Sequence, residues 1–175
     1  PVLLLASSRE GEEALWLQAW RSTPAAQQVQ WLIVPRHPQR FNEVAALLEQ
    51  QGLRSVRRSV AMPTADTQVW LGDSMGEMAA YFTLADLAFI GGSLLPLGGQ
   101  NLIEAAACDC PVVVGPHTFN FKQATEDAIA AGAAIRVDSP EMLAATVNRI
   151  FGQKTKLAEM RNAAGLFARA HQGAA

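Results

Sequence analysis

The chain has 175 residues, half of them apolar, with 14 Lys and Arg against 16 Asp and Glu and a formal net charge of −2. That length and apolar content fit one α/β domain or one lobe of a larger enzyme, and they exclude a disordered chain. The charge balance supplies no basic field for nucleic acid, and no apolar run reaches the roughly 18 residues needed to span a bilayer.

The first apolar run, 2–6, is a strand candidate, too short for a signal sequence and without its basic flank. It is followed by Ser7-Ser8-Arg9-Glu10-Gly11-Glu12-Glu13 and a helix-patterned stretch at 12–20. Glu10, Glu12 and Glu13 form the one carboxylate cluster near such a strand end, placed to reach a cleft or a transferred sugar. A second strand at 31–34 runs into Pro35-Arg36-His37-Pro38-Gln39-Arg40. There Arg36 can offer a planar donor fork to a phosphate or carboxylate, and the flanking prolines fix the direction of His37. The plain alternative is a polar loop with Pro38 opening the next helix, 41–51.

A strand at 55–58 and a flexible connection at 59–67, with Pro63, precede a strand at 69–71. Gly72-Asp73-Ser74-Met75-Gly76-Glu77-Met78 then reads as a Ser-x-x-Glu capping box opening a helix at 75–83. Gly76 is out of place in a first turn, since glycine weakens a helix, and close approach of a ligand to the backbone would explain it. After the strand at 87–90 comes Gly91-Gly92-Ser93-Leu94-Leu95-Pro96-Leu97-Gly98-Gly99-Gln100-Asn101-Leu102-Ile103-Glu104. A helix at 100–107 would begin there, with Gly98 and Gly99 letting backbone N–H groups approach an anion at its start. Asn101 and Glu104 would share one face, the carboxylate accepting from both hydroxyls of a ribose. Turn and capping chemistry is the plainer reading of the same residues.

Cys108 and Cys110 are too close in sequence for an unstrained disulfide and complete no zinc set, which suits a reducing cytoplasm. The strand at 112–114 leads into Gly115-Pro116-His117-Thr118-Phe119-Asn120-Phe121, followed by a helix at 122–131, a strand at 134–137 and helices at 140–150 and 154–170. This alternation predicts a doubly wound, Rossmann-like parallel sheet, whose ligands bind beyond the carboxyl ends of the strands. No Gly-x-Gly-x-x-Gly follows the first strand, and there is no Walker loop, Asp-x-Asp pair or Gly-x-Ser-x-Gly elbow.

In order and spacing, the segments beginning at Ser7, Pro35, Gly72, Gly91 and Gly115 together resemble the bacterial 3-deoxy-D-manno-octulosonic acid (Kdo) transferases of the GT-B class. The likeness covers nearly the whole chain. It implies that residues 1–175 form the C-terminal, nucleotide-sugar-binding lobe, and that the family's CMP contacts fall on Pro35, Arg36, Met75, Gly76, Glu77, Asn101, Leu102, Ile103 and Glu104. Ser93, Gly98, Gly99, Gln100, His37 and Asn120 are further candidates for contact with phosphate or Kdo. The resemblance implies transfer of Kdo from CMP-Kdo to a lipid A precursor in lipopolysaccharide synthesis, with no metal cofactor. It also implies an N-terminal lobe that binds the acceptor, carries the glutamate base and associates with the cytoplasmic face of the bacterial inner membrane. No catalytic residue is expected in this chain, which by itself should bind nucleotide and perform no transfer. Two positions depart from the family: Arg9 and Gln100 stand where His is common, and neither shuttles protons near neutral pH. The rival readings are a GT-B lobe for a UDP-sugar and a non-catalytic nucleotide-binding module.

Overall fold

The computed structural model describes residues 1–23 and 28–173. Seven strands form one sheet: β1 (Val2–Ser8), β2 (Gln30–Pro35), β3 (Ser55–Arg57), β4 (Val69–Leu71), β5 (Leu87–Ile90), β6 (Val112–Val114) and β7 (Ala134–Arg136). Their spatial order is β3-β4-β2-β1-β5-β6-β7, and every pairing is parallel. Among the described residues seven α-helices lie against it: α1 (Glu12–Arg21), α2 (Phe41–Gln50), α3 (Met78–Leu84), α4 (Ile103–Ala107), α5 (Lys122–Ala130), α6 (Pro140–Phe151) and α7 (Lys154–Gly173).

Both faces of the sheet are covered, which is why its central strands are continuous apolar runs. Along β1 the side chains alternate: Leu3 and Leu5 join one buried cluster, Leu4 and Ala6 the other. The first cluster takes α1, α2 and α6 around packed indoles, Trp16 and Trp20 lying 4.8 Å apart between ring centres with their planes tilted by 33°. The second takes α3, α4, α5 and the apolar stripe of α7 through Ala164, Phe167 and Ala168. Cys108 and Cys110 are free, and burial pushes the Cys110 thiol up to about 12.

Every expected strand and helix is present, with two displaced helix starts that bear on function. The helix expected at 75–83 begins at Met78, because Gly76 sits in the left-handed region (φ +74°) and breaks the first turn. Ser74 and Glu77 consequently form no capping box: Glu77 occupies the cap position without a side-chain cap, and the Ser74 hydroxyl bonds that of Tyr81. The helix expected at 100–107 begins at Ile103, and Asn101 lies ahead of it, its Oδ1 accepting from the Ile103 N–H at 3.0 Å. Asn101 and Glu104 therefore do not share a helix face.

At the end of β1 the pairing with β2 shifts register between Ala6 and Ser8, around Ser7 at φ 59°. Gly91, just past β5, presses against this bulge so closely that a Cβ would collide with the Ser7 carbonyl. Gly91→Ala should therefore destabilise the fold by about 1–3 kcal/mol or more through overpacking against backbone. Gly76→Ala, which has open space around it, should cost only the left-handed strain of about 1–2 kcal/mol. Urea unfolding of the two variants tests the ordering.

Candidate functional site

The chain leaves β1 toward β2 on one side, and later elements build outward from β5 on the other. The carboxyl ends of β1 and β5 thus flank the reversal in strand order where ligands bind in open parallel sheets. A hollow of about 220 Å³ opens there. Ala6, Ser7 and Ile90 contribute its strand-end wall, Met78 and Phe82 its apolar side, and Arg36, Gln100, Asn101 and Glu104 its polar groups. A larger hollow of about 570 Å³, between Arg21, Arg54 and Gln68, lies at the amino ends of β2 and β4, where the fold does not place ligands.

Arg36 is fixed at its backbone, where its N–H donates to the Ser8 carbonyl at 2.9 Å, while its side chain is exposed. Glu104 is exposed in the first turn of α4. Among the described residues neither has an ion-pair partner, whereas Arg40, Arg57 and Arg58 are paired with Glu13, Asp73 and Glu77. A free guanidinium and a free carboxylate thus converge on one hollow, from elements 68 positions apart in sequence (104 − 36).

The other expected residues divide. Pro35 is the buried last residue of β2, Leu102 is buried in the second core cluster, and Ile103 packs half-buried against it. Met75, Gly76 and Glu77 occupy the loop after β4 and do not line the hollow; their neighbour Met78 does. Ser74 beside Glu77, with Arg58 at 3.4 Å, holds the Glu77 carboxyl below its ordinary range. His37 lies outside the hollow, ahead of the 3-10 turn Pro38–Arg40.

The glycine-rich loop differs most from expectation. Ser93 is fully buried; its hydroxyl donates to the Ile90 carbonyl and accepts from the Gly115 N–H, so its one donor is spent inside the fold. The Gly99 N–H is spent on the Gly92 carbonyl at 3.0 Å, and Asn120 folds over Gly98, its amide donating to the Leu97 carbonyl. Only Gln100 and Asn101 of this stretch reach the hollow. The loop owes its course to Glu12, whose buried carboxylate accepts from the N–H groups of Arg9 (2.8 Å), Gly92 (2.8 Å) and Leu94 (3.2 Å). Burial pushes the Glu12 pKa up while those three donors pull it down, with a net rise. Glu13 is equally buried and holds both Arg40 guanidinium ends at 2.8 and 3.0 Å. Both are buried and engaged, Glu13 with Arg40 beside a separate hollow between α1 and α2, and neither lines the switch-point hollow; Glu10 alone of the three is exposed. The sequence shows Glu12 as one of three clustered carboxylates and Ser7 as the start of a motif, but not that Glu12 holds the loop, because its Gly92 and Leu94 partners are tertiary.

Among the described residues no group of three or more His, Cys, Asp or Glu is arranged to hold a metal ion. The family of "Glycosyl transferases group 1" matches residues 57–167. The chain is 46% identical to a 3-deoxy-D-manno-octulosonic acid transferase of Bordetella pertussis, over 99% of its own length and 42% of the relative's. It is 37% identical to the Haemophilus influenzae enzyme of the same name, over 93% of itself and 39% of that protein. The chain thus spans about two fifths of these relatives. Its structure resembles the C-terminal CMP-Kdo binding domain of WaaA from Acinetobacter baumannii, with TM-score 0.88 and 31% identity over 95% of this chain and 88% of that one. Sucrose-phosphate synthase from Thermosynechococcus elongatus shares the fold at TM-score 0.67 and 20% identity, covering 97% of this chain and 41% of that one.

The wall beyond β4 gives a pH test. Although burial opposes it, hydrogen bonds from Ser59 N–H and Oγ, together with the Arg57 guanidinium, lower the Asp73 pKa below its ordinary 3.8. Stability from this lowered carboxyl is present above the unfolded value and is lost as pH falls through the folded one. Asp73→Asn should destabilise the chain at neutral pH, and the gap from wild type should narrow below pH 3.8. Denaturant unfolding across that range is the measurement.

Proposed function

Because the chain belongs to the group 1 glycosyl transferases, and within them to the Kdo transferases, we propose that it binds CMP-Kdo as the donor lobe of an enzyme transferring Kdo to a lipid A precursor. The observation that carries this reading is the pairing of an unengaged arginine with an unengaged carboxylate across the switch-point hollow. In this arrangement Glu104 accepts from the ribose hydroxyls, and Arg36 offers its donor fork to the phosphate. The loop of Met75, Gly76 and Glu77, which lies just outside the hollow, meets the part of the nucleotide that extends beyond it, and Gly76 offers its main chain there without a Cβ.

The reaction is an inverting displacement: an acceptor hydroxyl attacks the anomeric carbon of Kdo as CMP departs with the bonding pair. This lobe positions the donor and stabilises the charge gathering on the leaving phosphate. The base belongs to an acceptor-binding lobe outside these 175 residues, a reading supported by the two-fifths share of the relatives that this chain covers. That lobe also carries the contact with the cytoplasmic face of the inner membrane; among the described residues no helix is long and apolar enough to cross one. A leaving group with a single phosphate needs no bridging metal, and none is assigned.

Calorimetry decides the donor. CMP should bind the chain more tightly than UMP and equally well with magnesium or chelator; tighter UMP binding or an absolute metal requirement would count against Kdo transfer. Glu104→Ala should weaken CMP binding by about 1.5–3 kcal/mol for a lost charge-assisted hydrogen bond, and lower folding stability by only about 0.3–1 kcal/mol through the helix dipole. A collapse in melting temperature with unchanged affinity would make Glu104 structural. Alone, the chain should transfer no Kdo, and adding the acceptor-binding lobe should restore transfer.

A further inference from the structure

Glu12 lines no part of the donor hollow, yet two of its three bonds end on the loop that feeds it. Its Oε1 takes the Gly92 N–H; the Gly92 carbonyl in turn takes the Gly99 N–H, and Gln100 and Asn101 follow at once. Its Oε2 takes the Leu94 N–H, so the loop is gripped on both sides of Ser93, whose own hydroxyl ties it to β5 and β6. The third bond, from the Arg9 N–H, joins the bulged end of β1 to the same carboxylate. Among the described residues no cation pairs with Glu12, in contrast to Glu13 and Arg40 one position along.

A buried carboxylate without a counter-ion is an unfavourable way to fill space, since burial disfavours its charge. What it supplies that an apolar side chain cannot is several acceptor sites on one rigid group, here meeting three N–H donors. On the donor-site reading above, we infer that Glu12 is a positioning residue for nucleotide binding: its carboxylate sets the course of residues 92–99 and thereby places Gln100 and Asn101 at the hollow. An amide in its place keeps one acceptor oxygen and turns an N–H donor toward one of the backbone donors. Glu12→Gln is therefore a near-isosteric probe of this role.

The test compares E12Q, E12A and a control, E13Q, which breaks the neighbouring ion pair to Arg40. Three quantities are read: melting temperature, backbone amide exchange followed by NMR, and CMP affinity by calorimetry. E12Q should speed exchange at Leu94 or Gly92 and weaken CMP binding about tenfold, the scale of one charge-assisted hydrogen bond, while the chain stays folded. E12A should release both amides and weaken binding at least as much. E13Q should lower the melting temperature and leave loop exchange and CMP affinity at wild-type values. If folded E12Q binds CMP as wild type does, or if the Gly92 and Leu94 amides stay as protected as before, the inference is overturned. Should E12A fail to fold, E12Q alone decides. Failure of the wild-type chain to bind CMP would overturn the donor reading instead, and the exchange rates, which need no nucleotide, would still show whether Glu12 holds the loop.

Discussion

Strand β1 is hydrogen-bonded on both edges by parallel partners, β2 and β5, and the rest of the molecule is arranged around that constraint. A parallel strand cannot return by a tight turn, so each neighbour arrives through a crossover that lays a helix on one face. The strand therefore becomes the seam between two apolar layers, with Leu3 and Leu5 facing one and Leu4 and Ala6 the other. Its carboxyl end lies between chain segments that leave in opposite directions, and the hollow forms there because no crossover covers it.

The loops around the hollow are held by polar bonds that the apolar layers cannot supply. Loops cannot be buried without partners for their backbone groups. Here buried side chains meet that need: Glu12 for Arg9, Gly92 and Leu94, Ser93 for Gly115, and Asp73 for Ser59. Arg36 and Glu104 are left outside these pairings, and unlike Arg9 and Glu10, which also lack an ion-pair partner among the described residues, they line the hollow. The division matches the demands of donor binding, in which a rigid frame presents a small number of unengaged groups to a charged ligand.

This division also explains why a lobe of the proposed kind can bind without transferring. Positioning and charge stabilisation come from groups fixed to one sheet, while a base must come within hydrogen-bond reach of the acceptor's hydroxyl. Two of the three carboxylates beside β1 do not fill that role, because Glu12 and Glu13 are consumed inside the fold. Kinship with the Bordetella and Haemophilus transferases and the close match to the Acinetobacter domain fix the family independently of that geometry.

The sequence by itself determined the seven strands, the helices between them and the parallel sheet, because apolar runs and helical periodicity are local signals that the core enforces. It also pointed to Arg36, Gln100, Asn101 and Glu104, which follow strands where such a sheet binds ligands. Tertiary structure alone decided which glycine-loop groups are free and where two helices begin. Ser93 and Gly99 look available until Gly115 and Gly92 are brought against them, and the Ser74–Glu77 spacing looks like a cap until Gly76 turns left-handed and Tyr81 claims Ser74. The sequence marked Glu12 only as one of three clustered carboxylates, not as the acceptor that holds the loop, since the Gly92 and Leu94 amides that give it that role lie 80 and 82 residues away. Hydrogen-bond satisfaction of a buried group is a property of the folded neighbourhood, and no pattern along the chain encodes it.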